Sequence, residues 1–198
     1  MTLLEQFRDA LEGRSTPVLE TDRLVLRAPR LEDAKAVAAL AGDRRVAENT
    51  MRIPHPYTLA DAAEWISSAN SGAGKHTFLV THGGAPIGAC GLDDRSGPAP
   101  ELGYWLGVPY WGQGFATEAA RAVIDFAFGE LGIEAVQAGA RVSNPASRRV
   151  LEKCGFQWAG VGLYRIRAMN TSAPCDRFRL DRALWASLRN WNDARRVA

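Results

Sequence analysis

Pro109-Tyr110-Trp111-Gly112-Gln113-Gly114-Phe115-Ala116-Thr117 is the stretch on which the reading of this chain turns. Before it, Leu102, Tyr104, Leu106 and Val108 alternate with Glu101, Gly103, Trp105 and Gly107, the period of two of a strand with two different faces. After it, Ala120, Val123, Ile124, Ala127, Phe128 and Leu131 recur at helical spacing and make one apolar stripe. The unit is strand, glycine turn, helix. Two glycines let a ligand come close to the backbone, and the start of a helix leaves N–H groups unpaired at the positive end of its dipole. Such a turn suits a pyrophosphate, and it equally suits a tight connection with no ligand.

Spacing removes two phosphate sites. A Walker loop needs glycine, four residues and Gly-Lys, but no lysine stands between Lys75 and Lys153. A dinucleotide fingerprint needs a third glycine where Thr117 stands and an acid near the end of the next strand, where Arg141 stands.

The 198 residues are 46% hydrophobic and 23% charged, which suits one domain with a sizeable core and short appendages. We divide them into a helical appendage over 1–18, a domain over 19–192 and a tail over 193–198. The net charge of +2 comes without a basic stripe, so nucleic acid is not the expected partner. Cys90, Cys154 and Cys175 are odd in number and lack C-x-x-C spacing, which argues against disulfides and zinc, and His76 and His82 suggest no metal site. Met1 to Gly13 carries four charges and no signal-peptide core, and no apolar run is long enough for a membrane. A cytoplasmic protein is expected.

Leu3, Leu4, Phe7 and Leu11 make a short amphipathic helix, read as packing on its own domain or on a second subunit of a homodimer. A strand follows around Leu24 to Ala28, then a helix from Leu31 to Ala41. Thr58 and Asp61 have the spacing of a capping box for another helix. The loop between them, Asn49 to Tyr57, is irregular and proline-fixed, as binding walls often are. Short connections make 78–81, 85–92 and 100–108 an antiparallel meander. The helix after the glycine turn leads to a strand over 135–142, a parallel crossover, and the sheet is therefore mixed. Asn144 then caps a helix with Pro145 in its first turn and Gly155 at its end, and two strands and a last helix complete an α+β fold.

This order, together with Trp111, Gly114 and Ala116 at the spacing of an acyl-CoA loop, resembles the GNAT N-acetyltransferases. Trp111 departs from that loop's usual glutamine or arginine. Asn144, Ser147 and Gly155-Phe156 match a second motif of the family, and with Pro54 to Thr58 and Glu101 to Trp105 they most resemble the branch that acetylates N-terminal alanine of ribosomal proteins (the Rim type). The resemblance implies the GNAT fold, acetyl-CoA as cosubstrate and direct attack of a primary amine on the thioester.

It also implies roles. Leu106, Gly107 and Val108, at a mouth opened by Gly107, the loop residues Trp111, Gly112, Gln113, Gly114, Phe115, Ala116 and Thr117, and Asn144 with Ser147 would hold the cofactor. Glu101 would accept the amine proton, and Ser147 or Tyr164 would assist the departing thiolate. Pro54, His55, Tyr57 and Glu101 would face the acceptor. The leading acceptor is a protein or peptide α-amine. The alternatives are a small amine, such as a polyamine or aminoglycoside, and an acyl-CoA sensor without catalysis. In the acceptor loop taken as Ala47 to Thr58, Arg52 and His55 beside Glu48 count modestly against polycations.

Overall fold

The computed structural model describes residues 16–71, 75–93 and 99–197, without the side chains of Lys75 and 192–197. The amphipathic helix expected at Leu3 to Leu11 lies outside the described residues. One eight-stranded sheet contains β1 (Leu19–Glu20), β2 (Leu24–Arg27), β3 (Lys75–His82), β4 (Ala85–Asp93), β5 (Glu101–Leu106), β6 (Ala135–Arg141), β7 (Gln157–Ile166) and β8 (Thr171–Asp181). Its spatial order is β1-β2-β3-β4-β5-β6-β8-β7. Every neighbouring pair is antiparallel except β5 with β6. The mixed sheet and the meander stand as expected.

The helices are α1 (Ala34–Ala41), a short α2 (Arg44–Ala47), α3 (Leu59–Ala69), α4 (Phe115–Gly129), α5 (Pro145–Lys153) and α6 (Arg182–Val197). Thr58 and Asp61 close both halves of the capping box that starts α3. The last helix runs to Val197, through residues assigned above to a tail. Arg27 grips the buried Asp33 with two bonds of 2.8 Å, and the Arg30 N–H adds a third at 2.7 Å. Burial alone would raise that carboxyl, but these donors hold it below its ordinary value and fix the entry to α1.

The two faces of the sheet carry different layers. Val123, Ile124, Ala127 and Phe128 of α4 join Leu102 and Leu106 of β5 and Leu24 and Leu26 of β2 in the main core. Val37 of α1 and Ala62 and Ile66 of α3 pack with Leu79, with Trp105 at the edge of that second cluster. Each fully buried leucine or phenylalanine contributes about 1.5–3 kcal/mol. Tyr104 and Trp105, adjacent on β5, therefore serve opposite faces.

The parallel pair is short. Glu101 aligns with Gln137 and Leu102 with Ala138, and there the register ends. β4 stays with β5 as far as Leu106, whereas β6 follows β8 along its whole length. From Gly103 onward, β5 and β6 part and the sheet is split.

Candidate active site

The glycine turn stands at one end of the split. Gly112 and Gly114 have φ of 76° and 82°, and Gly114 is the residue from which α4 starts. The bond from the Glu118 N–H to the Gly114 carbonyl (3.1 Å) opens the helical ladder. The N–H groups of Phe115, Ala116 and Thr117 precede it and have no intrahelical carbonyl to bond. Arg23 braces the turn, donating to the Gln113 carbonyl at 3.0 Å and to Glu118 at 2.7 Å, with its guanidinium 4.5 Å from the Phe115 ring centre. Trp111 donates its indole N–H to the Leu106 carbonyl at 2.7 Å. The residue that departs from the family pattern thus ties the turn to the end of β5.

A cavity of about 400 Å³ begins at this turn. Its lining includes Trp111, Gly112, Gly114, Phe115, Ala116 and Thr117, and then Leu106, Asn144 and Ser147. Arg149 and Lys153 of α5 add positive charge to its wall. A second cavity of about 420 Å³ lies toward α3 and the loop of 49–57. Pro54, Tyr57 and Glu101 line it, with Asp61, Glu64 and Asp93, and with Arg52, Arg141 and Arg167. Both cavities are lined by Asn49, Thr50, Tyr104, Trp105 and Ser147. They meet where the sheet splits.

At that junction the Asn144 side chain accepts from the Ser147 N–H at 3.1 Å and sets Ser147 in the first turn of α5. The Ser147 Oγ lies 2.8 Å from the Tyr104 hydroxyl, which is also 3.1 Å from the Ser147 carbonyl. Burial pushes the Tyr104 phenol well above its usual value, outweighing the bond to Ser147, so it keeps its proton near neutral pH. In the second cavity, burial and the charges of Asp61 and Glu64 push Tyr57 up to about 12. Arg52 is paired with Asp93. The Glu101 carboxylate, partly exposed, has no hydrogen bond or ion pair among the described residues.

The remaining expected residues stand elsewhere. Gly107 donates its N–H to the Ile87 carbonyl at 2.9 Å, and a Cβ on it would come within 2.4 Å of Leu40 Cδ2. It admits helix α1 to the sheet rather than opening a mouth. Neither cavity is lined by Gly107, Val108, Gln113, His55 or Tyr164. Tyr164 sits on β7 opposite Ala173, and Gln113 uses its amide on the Pro109 carbonyl at 2.9 Å. The hydroxyl beside Ser147 is instead Tyr104, which the alternation places on the apolar face of β5. That placement is right for the ring and silent about its tip. Nothing in the sequence marks Asp61, Glu64 and Asp93 as site residues, because they reach the cavity from elements far apart in the chain. No group of acids, histidines and cysteines that would hold a metal is found among the described residues.

The family described as "Acetyltransferase (GNAT) domain" matches residues 23–157. An uncharacterized N-acetyltransferase p20 of Bacillus licheniformis is 34% identical over 152 residues, covering 72% of this chain and 84% of that protein. Among solved structures, Mycobacterium smegmatis RimJ in complex with CoA-disulfide superposes with a TM-score of 0.73 at 18% identity, covering 84% of this chain and 88% of that one. Spermidine N-acetyltransferase of Vibrio cholerae, in complex with CoA and spermine, does so with a TM-score of 0.71 at 19% identity, covering 84% and 99%. At these identities the two structures speak for the fold. No helix among the described residues is long and apolar enough to cross a membrane.

Proposed function

Because the chain belongs to the GNAT acetyltransferase family, we propose that it transfers the acetyl group of acetyl-CoA to the N-terminal α-amine of a protein or peptide. The observation that carries this reading is the meeting of the two cavities at Ser147 and Tyr104. A cofactor whose pyrophosphate rests on the N–H groups of 112–117 can run its pantetheine arm along the unpaired edge of β5. Its thioester then reaches the junction from one side while the amine reaches it from the other. Leu106 and Asn144 border the arm, and Pro54 and Tyr57 border the acceptor.

The amine nitrogen attacks the thioester carbonyl carbon, and Glu101 takes the amine proton directly or through water. The carbon–sulfur bond breaks, the thiolate leaves hydrogen-bonded by the Ser147 hydroxyl at the positive end of α5, and it is protonated from solvent, to which Glu101 returns the proton it took from the amine. Tyr104, held protonated by burial, supports Ser147 across their 2.8 Å contact. An α-amine has a pKa of about 8 against about 10.4 for lysine, so one carboxylate is base enough.

One observation favours a second reading, a polyamine acceptor. Asp61, Glu64, Asp93 and Glu101 outnumber Arg52, Arg141 and Arg167 in the second cavity, an excess that the 49–57 loop alone does not contain. Thiol release from acetyl-CoA, measured with peptides of varied N-terminal residue, spermidine, spermine and an aminoglycoside, separates the two. We expect the highest kcat/KM on a peptide. Spermidine or spermine in first place would replace this reading with the second.

A further inference from the structure

Arg141 stands in the acceptor cavity with part of its hydrogen-bonding capacity unspent. It ends β6, opposite Cys175 of β8, and lines the cavity. Its Nη1 donates to the Glu48 carbonyl at 2.6 Å, which fixes the side chain beneath the end of α2. Its Nε is the one buried side-chain nitrogen or oxygen among the described residues that has no hydrogen-bond partner. Buried donors are nearly always paired, so an orphan calls for an acceptor. Nε and Nη2 form one planar edge of the guanidinium, suited to an oxygen lying in that plane.

Glu101 supplies the opposite chemistry a short way along the same strand pair. Its Oε1 is 3.7 Å from where a Cβ on Gly139 would be, which places the carboxylate over β6 beside Gly139. Gly139 and Arg141 share a face of β6 and are about 6.7 Å apart along it. Burial raises the Cys175 thiol, against the lowering charge of Arg141 and together with the raising charges of Asp176 and Glu101, which puts Arg141 and Glu101 on the same patch. An amine and a carbonyl oxygen on adjacent carbons, with a hydrogen bond of about 2.9 Å at each end, span about 8 Å.

We infer that Glu101 and Arg141 together recognise an α-amino acyl group, Glu101 taking the amine and the Nε–Nη2 edge of Arg141 taking the carbonyl oxygen one carbon away. Arg141 is then a specificity-determining residue. It selects amines that carry a neighbouring carbonyl and gives polyamines, which lack one, nothing to bind. This rests on the acceptor reading above and adds to it the chemistry by which the acceptor is chosen.

The test compares alaninamide, an alanine-initiated peptide, free alanine and isopropylamine on the full chain and on Arg141→Gln and Arg141→Lys, each kcat/KM being corrected for the pKa of its amine. A bond from a charged donor predicts that the intact chain prefers alaninamide to isopropylamine by about tenfold or more. Arg141→Gln loses most of that preference, its kcat/KM falling much further on alaninamide than on isopropylamine, and keeps its affinity for CoA. A higher efficiency on free alanine than on the peptide identifies a carboxylate as the oxygen source, and the reverse identifies a peptide carbonyl. Equal efficiency on alaninamide and isopropylamine in the intact chain, a comparison that needs no variant to fold, overturns the inference. So does a variant that keeps the preference, or one that loses all four substrates and CoA affinity together. Acetylation of spermidine with none of these four amines accepted overturns the acceptor reading itself, and is distinguished by its thiol release.

Discussion

Glu101→Gln is expected to lower kcat/KM for an α-amine peptide about a hundredfold at pH 7, the lower end of the range for a lost general base. The substitution keeps the volume of the side chain and removes its ability to take a proton. The Glu101 carboxylate makes no hydrogen bond or ion pair among the described residues, so its replacement breaks no side-chain bond there. The dependence on pH separates a base from a structural residue. An α-amine has a pKa of about 8, so at pH 7 only about a tenth of it is uncharged, whereas at pH 9 most of it is. The deficit of the variant should therefore narrow as pH rises through 8, because the solvent has already removed the proton that Glu101 would take. A deficit that is the same at pH 7 and pH 9 removes Glu101 from the role of base.

Ser147→Ala comes next, with an expected fall in kcat of about a hundredfold, near the lower end for removing one donor from developing negative charge. Its affinity for CoA should hardly change, since the turn at 112–117 is untouched. Tyr104→Phe keeps the partly buried ring and removes only the hydroxyl that lies 2.8 Å from Ser147 Oγ. If Tyr104 acts through Ser147, the double variant should be little slower than Ser147→Ala alone, because residues that work as a unit are not additive. Steady-state rates on one peptide, with CoA affinity measured by titration, read both effects. An unchanged kcat in Ser147→Ala, or full additivity with Tyr104→Phe, contradicts these assignments.

What was legible in the sequence was local. Gly112 and Gly114 mark their turn because their positive φ is a property of a few adjacent residues, and Asn144-Pro145 marks its helix because a cap bonds within three positions. The order of strands and helices follows from periodicity and short connections. The cavities depend on which distant elements meet. Tyr104 reads as one more member of an apolar alternation until α5 is laid against β5 and its hydroxyl meets Ser147. Gly107 reads as a gap in a wall until Leu40 is found filling the space beside it. Arg141 matters to the spacing only as a residue that is not an acid, and its orphaned Nε is visible only once the chain has folded around it. The acids Asp61, Glu64 and Asp93 converge from α3 and β4, so the charge of the 49–57 loop alone understates that of the cavity.

The most direct measurement is a crystal structure of the full chain with CoA bound. The pyrophosphate is expected on the N–H groups of 112–117, the pantetheine arm against the β5 edge that has left β6, and the thiol sulfur within hydrogen-bonding distance of Ser147 Oγ. A cofactor lying elsewhere, or one in the split with its sulfur away from Ser147 and Tyr104, would contradict that expectation.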